Sequence, residues 1–149
     1  MTNPCATAKV FIRRPVSAVY DAFADPEIMT KFWFPKARGQ LETGKDVLWY
    51  LGTDTDAYAI TVRVKSAIAP REIIIDWGDE DQFTQVVWTF EGVDDGTVMT
   101  ITESGFAGPG AEINAAALAS TGGFNQVAIA AKALLEHRAA INIVQDHVA

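Results

Sequence analysis

The chain has 149 residues, 49% hydrophobic and 21% charged, a size and composition that suit one folded domain with its own core and exclude a disordered chain. Its formal charge of -7 and pI near 4.7 argue against nucleic acid, whose phosphates call for clustered Lys and Arg. Cys5 is the only cysteine, which excludes an intrachain disulfide and a CxxC zinc cluster.

The opening MTNPCATAK carries no secretory pattern, and no apolar run reaches the length of a membrane span, so a cytoplasmic protein with no transmembrane segment is expected. Ala8 to Arg13 reads as a short strand. Pro15 suits a helix start, where its fixed φ fits and its missing N–H is no loss. Val16, Val19, Tyr20 and Phe23 then recur at helical spacing. Asp25-Pro26-Glu27 predicts a second short helix with Asp25 as its cap, closed by Phe34-Pro35.

From Ala37 the period changes. Strands are expected at Ala37 to Leu41 and Val47 to Leu51; the run VLWYL does not alternate, so it leaves open whether Trp49 or Tyr50 faces inward. Tyr58, Ile60, Val62 and Val64 do alternate with polar neighbours until Ala69-Pro70. Ile73, Ile75 and Trp77 share the next face, and Gly78 to Asp81 is an acidic turn. Val86, Trp88 and Phe90 follow, then the turn signal Asp94-Asp95-Gly96, then Met99, Ile101 and Glu103 in register. Strands joined by short turns predict an antiparallel meander. Ala111 to Ala119 is alanine-rich and predicts a helical turn or two. Thr121 to Val144 is predicted as the main helix, capped by Thr121, with an apolar stripe through Phe124, Val127, Ala131, Leu134, Leu135 and Ile141. The fold class is therefore α+β: a curved antiparallel sheet of about seven strands, in the order β-α-α-β6-α, around a long C-terminal helix.

A curved sheet touches a helix at its margins and leaves room between them. The alanines of the last helix would keep that room open, although helix propensity alone also favours Ala. Trp33, Trp49, Trp77 and Trp88 are either core aromatics or the wall of that space; each buried indole N–H needs a partner. Glu103 shares the apolar face of its strand. Buried, it must be paired, protonated or beside a wet pocket, where it would accept a ligand hydrogen bond or act as an acid or base. The alternative is a frayed strand end with Glu103 in water. Asp76 has the opposite phase and should be solvated. His137 and His147, ten residues apart, have neither relay partners nor metal-ligand spacing. No glycine-rich nucleotide loop occurs. Neither a metal nor a cofactor is expected.

The early strand before Pro15, Val19-Tyr20-Asp21-Ala22-Phe23, Asp25-Pro26-Glu27, Lys31-Phe32-Trp33-Phe34-Pro35, Trp88-Thr-Phe, Asp95-Gly-Thr97, Met99-Thr-Ile-Thr-Glu-Ser-Gly-Phe106 and Gly123-Phe124 together carry a resemblance. The chain resembles the START/Bet v 1-like superfamily (SRPBCC) of helix-grip domains, in the branch named for the C-terminal domain of the Hsp90 ATPase activator, which includes polyketide-cyclase-like proteins. The resemblance covers nearly all of residues 1–149 and implies a single domain of that type. It also implies a hydrophobic cavity between sheet and helix for lipid-, polyketide- or aromatic-like molecules. Carried onto this chain, Trp33, Trp49, Trp77, Trp88, Met99, Glu103, Phe106 and Phe124 are the implied pocket or pocket-mouth residues. The residues themselves add Tyr58 as an orienting group.

Three readings follow. The first is an apolar small-molecule binding protein, in which Glu103, Tyr58 or a Trp N–H sets orientation. The second is an enzyme of the polyketide cyclase type, with Glu103 as acid or base. The third is a stress- or chaperone-related interaction module, including one half of a homodimer.

Overall fold

The computed structural model describes residues 3–79 and 82–148. Strand β1 (Ala6–Ile12) is followed by helices α1 (Val16–Ala24) and α2 (Pro26–Met29). Then come β2 (Lys36–Arg38), β3 (Asp46–Tyr50), β4 (Ala59–Ile68), β5 (Glu72–Asp79), β6 (Gln82–Val93), β7 (Gly96–Ser104) and the long helix α3 (Gly110–His137). The seven strands form one antiparallel sheet in the order β1-β7-β6-β5-β4-β3-β2. From β2 to β7 this is a meander, and β1 closes the far edge by pairing with β7. Of the predicted acidic turn, Glu80 and Asp81 lie outside the described residues.

Alternation decides which side chains enter the core. Val47 and Trp49 are buried while Leu48 and Tyr50 are only partly so, which settles the question VLWYL left open in favour of Trp49. Val62 and Val64 point inward on β4. A register shift between Val64 and Ser66 then inserts one extra residue opposite β5. This β-bulge returns Ala67 to the inner face opposite Ile73 and bends the strand, one source of the sheet's curvature. Ile73 and Ile75 on β5, Val86, Trp88 and Phe90 on β6, and Met99, Ile101 and Glu103 on β7 complete the inner face.

The short helices cover one end of that face. Val19, Tyr20 and Phe23 of α1 are buried; the Tyr20 ring meets Phe90 edge-on at 5.5 Å and Phe23 lies 5.8 Å from Trp88. Asp25 accepts the Glu27 N–H at 2.9 Å as the predicted cap of α2. Burial raises the Tyr20 hydroxyl pKa above its ordinary value, and the neighbouring Asp21 charge adds to this.

The last helix differs from its expected bounds. It starts eleven residues before Thr121, and the sequence through Gly122-Gly123 is continuous helix. Thr121 is not its cap: its hydroxyl donates back to the Ala117 carbonyl at 2.8 Å, and Asn125 Nδ2 donates to the Thr121 carbonyl at 2.8 Å. Alanine-rich residues on the N-terminal side offset the propensity cost of two glycines. At the other end α3 stops at His137, because Arg138 adopts a left-handed conformation (φ 55°) and its N–H closes the last turn. Ile141 is therefore outside the helix, and residues 139–148 return as an irregular tail.

α3 runs along β1 and is fastened there. Asn125 Nδ2 reaches the Thr7 carbonyl at 3.3 Å. Lys132 Nζ donates to the Phe11 carbonyl at 2.5 Å and to Glu136 at 2.6 Å, and Glu136 also accepts the Arg13 N–H at 2.8 Å. These contacts hold Glu136 below its usual carboxylate pKa. The Lys132 hydrogen bond is the largest cause, and burial opposes it. No helix of the described residues is long and apolar enough to cross a membrane.

Candidate functional site

The face of α3 that turns toward the sheet presents Phe124, Val127, Ala128 and Ala131, all buried. Phe124 is the bulky member and meets the tryptophans. Its ring centroid lies 5.8 Å from Trp77, 6.0 Å from Trp33 and 6.4 Å from Trp88. Trp33 in turn stands 5.0 Å from Trp49, 5.9 Å from Trp77 and 6.1 Å from Trp88. The four indoles expected at the site are thus brought together. They pack against one another and against Phe124, rather than ringing a wide open hollow.

Space remains on both sides of Trp77. One cleft of about 190 Å³ is lined by Trp33, Trp77, Ser120, Gly123, Phe124, Val127 and Val144. That is smaller than the roughly 300–1,000 Å³ of drug-sized ligand sites. A second cleft of about 390 Å³ is lined by Tyr58, Ile60, Trp77, Gly78, Asp79, Gln82 and Thr84. Trp77 belongs to both walls and is only partly buried. Tyr58, 49% exposed, stands at the mouth of the second cleft.

Glu103 is 3% exposed, so the strand has not frayed there. The register explains its partners. Glu103 sits opposite Val86 on β6, Trp77 sits opposite Thr84, and all three strands turn these side chains inward. Trp77 Nε1 donates to Glu103 Oε2 at 2.8 Å, and Thr84 Oγ1 donates to the same oxygen. Oε1 is buried with no protein partner, and so is Trp88 Nε1. Ala6, fully buried on β1 opposite Glu103, leaves the carboxylate uncrowded from that side. An uncompensated polar atom in a core costs about 1–3 kcal/mol.

The remaining expected site residues fall outside this constellation. Met99 is fully buried among core side chains, opposite Val10 and Phe90. Phe106 is partly buried against the core edge. Sequence reasoning missed Thr84, the second donor to Glu103, because an isolated threonine on a strand carries no signal without the register. It also missed the tail: Val144 walls the first cleft, Gln145 Nε2 donates to the Trp33 carbonyl at 2.5 Å, and Gln126 Nε2 lies 3.1 Å from His147 Nδ1. Asp76 is half-shielded by an ion pair with Lys65 at 3.4 Å, on the outer face.

Residues 13–136 match the family model described as activator of Hsp90 ATPase homolog 1-like protein. No curated protein matches significantly. Among solved structures, the chain is similar to the protein SSP2350 from Staphylococcus saprophyticus, with 26% identity over 92% of this chain and 95% of that one and a TM-score of 0.77. It is also similar to DynU16, a protein of the dynemicin biosynthetic locus, at 20% identity, 93% and 49% coverage and a TM-score of 0.73. The Aha1 dimer from Colwellia psychrerythraea matches at 13% identity, 92% and 98% coverage and a TM-score of 0.72. The last two likenesses concern the fold alone.

Proposed function

The chain belongs to the family of activator of Hsp90 ATPase homolog 1-like proteins, and from that premise we propose that it binds an apolar small molecule between the sheet and α3. The observation that carries this reading is Trp77. Its indole separates two apolar clefts, contacts Phe124 of the helix, and is tied to a buried carboxylate. The larger cleft, about 390 Å³, is already of ordinary ligand size. Apolar burial supplies most of the affinity, at about 25 cal/mol per Å², and Glu103 fixes orientation.

The test is a titration of ¹⁵N-labelled protein with naphthalene. Saturable shifts at Ser120, Gly123, Val127 and Val144, with movement of the Trp77 indole signal, are expected. If those signals stay fixed up to the solubility limit of the probe, the reading is wrong.

A further inference from the structure

We infer that a second, separate site lies between α2 and the end of α3, and that it takes a single-chain amphiphile with an anionic head group. Trp77 has no part in it, so it stands or falls independently of the clefts described above.

A cleft of about 600 Å³ is lined by Ile28, Lys31, Leu134, Leu135, Arg138 and Ala140. It is wider than either cleft beside Trp77 and falls within the roughly 300–1,000 Å³ of small-molecule sites. Ile28, Leu134 and Leu135 are partly buried against the margin of the core and supply its apolar wall. Lys31 and Arg138 are exposed and supply its charge. Both charged residues of the lining are thus basic, in a chain that carries 19 acidic residues against 12 basic ones. Lys31 follows α2 and Arg138 follows α3, so each of the two helices brings one cation.

Cations at a helix C-terminus ordinarily satisfy its open carbonyls and its negative dipole end. Other groups fill that role here. The Arg138 and Ala139 N–H groups donate to the Leu134 and Ala133 carbonyls at 2.9 and 3.2 Å, and Arg14 Nη1 donates to the Leu135 carbonyl at 3.4 Å. The acid of this turn, Glu136, is held by Lys132 and the Arg13 N–H. Among the described residues, neither the Lys31 ammonium nor the Arg138 guanidinium has an ion pair or hydrogen bond. Two unpaired cations beside an apolar wall complement one anionic group on an apolar chain.

Size and charge select the occupant. A stable protein partner needs about 20–30 residues a side, and six line this cleft. The formal charge of -7 disfavours approach to an anionic bilayer. A single carboxylate, sulfate or phosphate head instead meets chiefly Lys31 and Arg138, because charges beyond about 8 Å are screened at physiological salt.

The experiment compares decanoate, 1-decanol and decyltrimethylammonium by ¹⁵N chemical-shift titration, each below its micelle or solubility limit. The three share a chain and differ in head charge. Decanoate should shift the Lys31, Leu134, Leu135 and Ala140 amides saturably and bind roughly tenfold more tightly than 1-decanol, with decyltrimethylammonium the weakest. A Lys31→Gln, Arg138→Gln double variant changes only exposed side chains. It should bring decanoate down to the level of 1-decanol and remove most of the salt dependence of its affinity. Decanoate and naphthalene should bind together without competing. Equal affinity of decanoate and 1-decanol in the wild-type chain overturns the anionic class, and so does a double variant that binds decanoate as the wild type does. Decanoate shifts confined to Ser120, Gly123, Val127 and Val144 overturn the second site and leave the small-molecule reading of the Trp77 clefts standing. Shifts at Lys31 and Leu135 with phosphatidylglycerol vesicles but not with decanoate overturn it in favour of a membrane surface. No shift with any of the three probes overturns it as well, and leaves the naphthalene titration to decide the Trp77 clefts alone.

Discussion

Trp77 and Glu103 are joined across an intervening strand: the indole on β5 reaches over β6 to place its N–H 2.8 Å from a carboxylate on β7. The strand between them contributes Thr84 to the same oxygen. Three neighbouring strands thus converge on one buried acid that, among the described residues, has no salt-bridging cation. Both donors are neutral, the Trp77 N–H and the Thr84 hydroxyl, and each is worth more than a surface hydrogen bond because Glu103 is buried.

Thr84→Val should therefore destabilise the protein by about 1–3 kcal/mol, since it removes a donor from a buried carboxylate. In a Glu103→Leu background the same change should be close to neutral, because both partners are then apolar. Urea denaturation of the four proteins of this cycle measures the difference. An equal cost in both backgrounds would show that Thr84 acts through packing and not through Glu103.

Acid should unfasten α3 from β1. Glu136 has a folded pKa below its ordinary 4.5, chiefly through the Lys132 hydrogen bond. A carboxylate depressed in the folded state contributes stability that is fully present above its unfolded pKa and is lost as pH falls through the folded one. The stability gap between the wild-type chain and Glu136→Gln should accordingly be constant above about pH 5 and narrow steadily below the unfolded value near 4.5. Thermal melts at half-unit intervals would show it; a gap independent of pH down to acid unfolding contradicts the assignment.

The two glycines inside α3 separate stability from binding. A Cβ at Gly122 or Gly123 meets nothing within 4 Å, and both sit in helix interior, where Ala is favoured over Gly by roughly 0.5–1 kcal/mol. Each Ala variant should raise the melting temperature. Gly122 is exposed, so Gly122→Ala should leave probe binding unchanged. Gly123 lines the smaller cleft, so Gly123→Ala should weaken naphthalene binding while stabilising the fold. Matching affinities for the two variants would exclude that cleft as the binding site.

How much of this was readable beforehand depends on the range of the interaction. Alternation placed Val62, Ile73, Ile75, Val86 and Trp88 on the inner face, because period-2 burial is a property of each strand by itself. The phase of Glu103 against Met99 and Ile101 likewise foretold its burial. What local pattern could not supply was register. Only strand pairing puts Thr84 beside Trp77 and brings both to Glu103. The helix start differs for another reason: Gly122-Gly123 reads as a boundary, and the alanine-rich residues before it carry the helix through the pair. The tail had no signal, since residues 139–148 are held by single contacts such as Gln145 on the Trp33 carbonyl.

That tail borders the smaller cleft. Val144 forms part of its wall, and Gln145 and His147 pin the segment to the Trp33 carbonyl and to Gln126. Two side-chain hydrogen bonds and the packing of Ile143 and Val144 at the core margin hold the segment, fewer ties than a paired strand has, so it should open more readily than the sheet. A Val144→Ala, Gln145→Ala double variant removes one wall side chain and one pin without touching the aromatic cluster. Stopped-flow tryptophan fluorescence with naphthalene should then show association several-fold faster than in the wild-type chain, because the wall opens more often. Dissociation should accelerate with it, so the equilibrium constant changes less than either rate. Association at the wild-type rate would mean that ligand enters past Tyr58 through the larger cleft, and the tail would then have no part in admission.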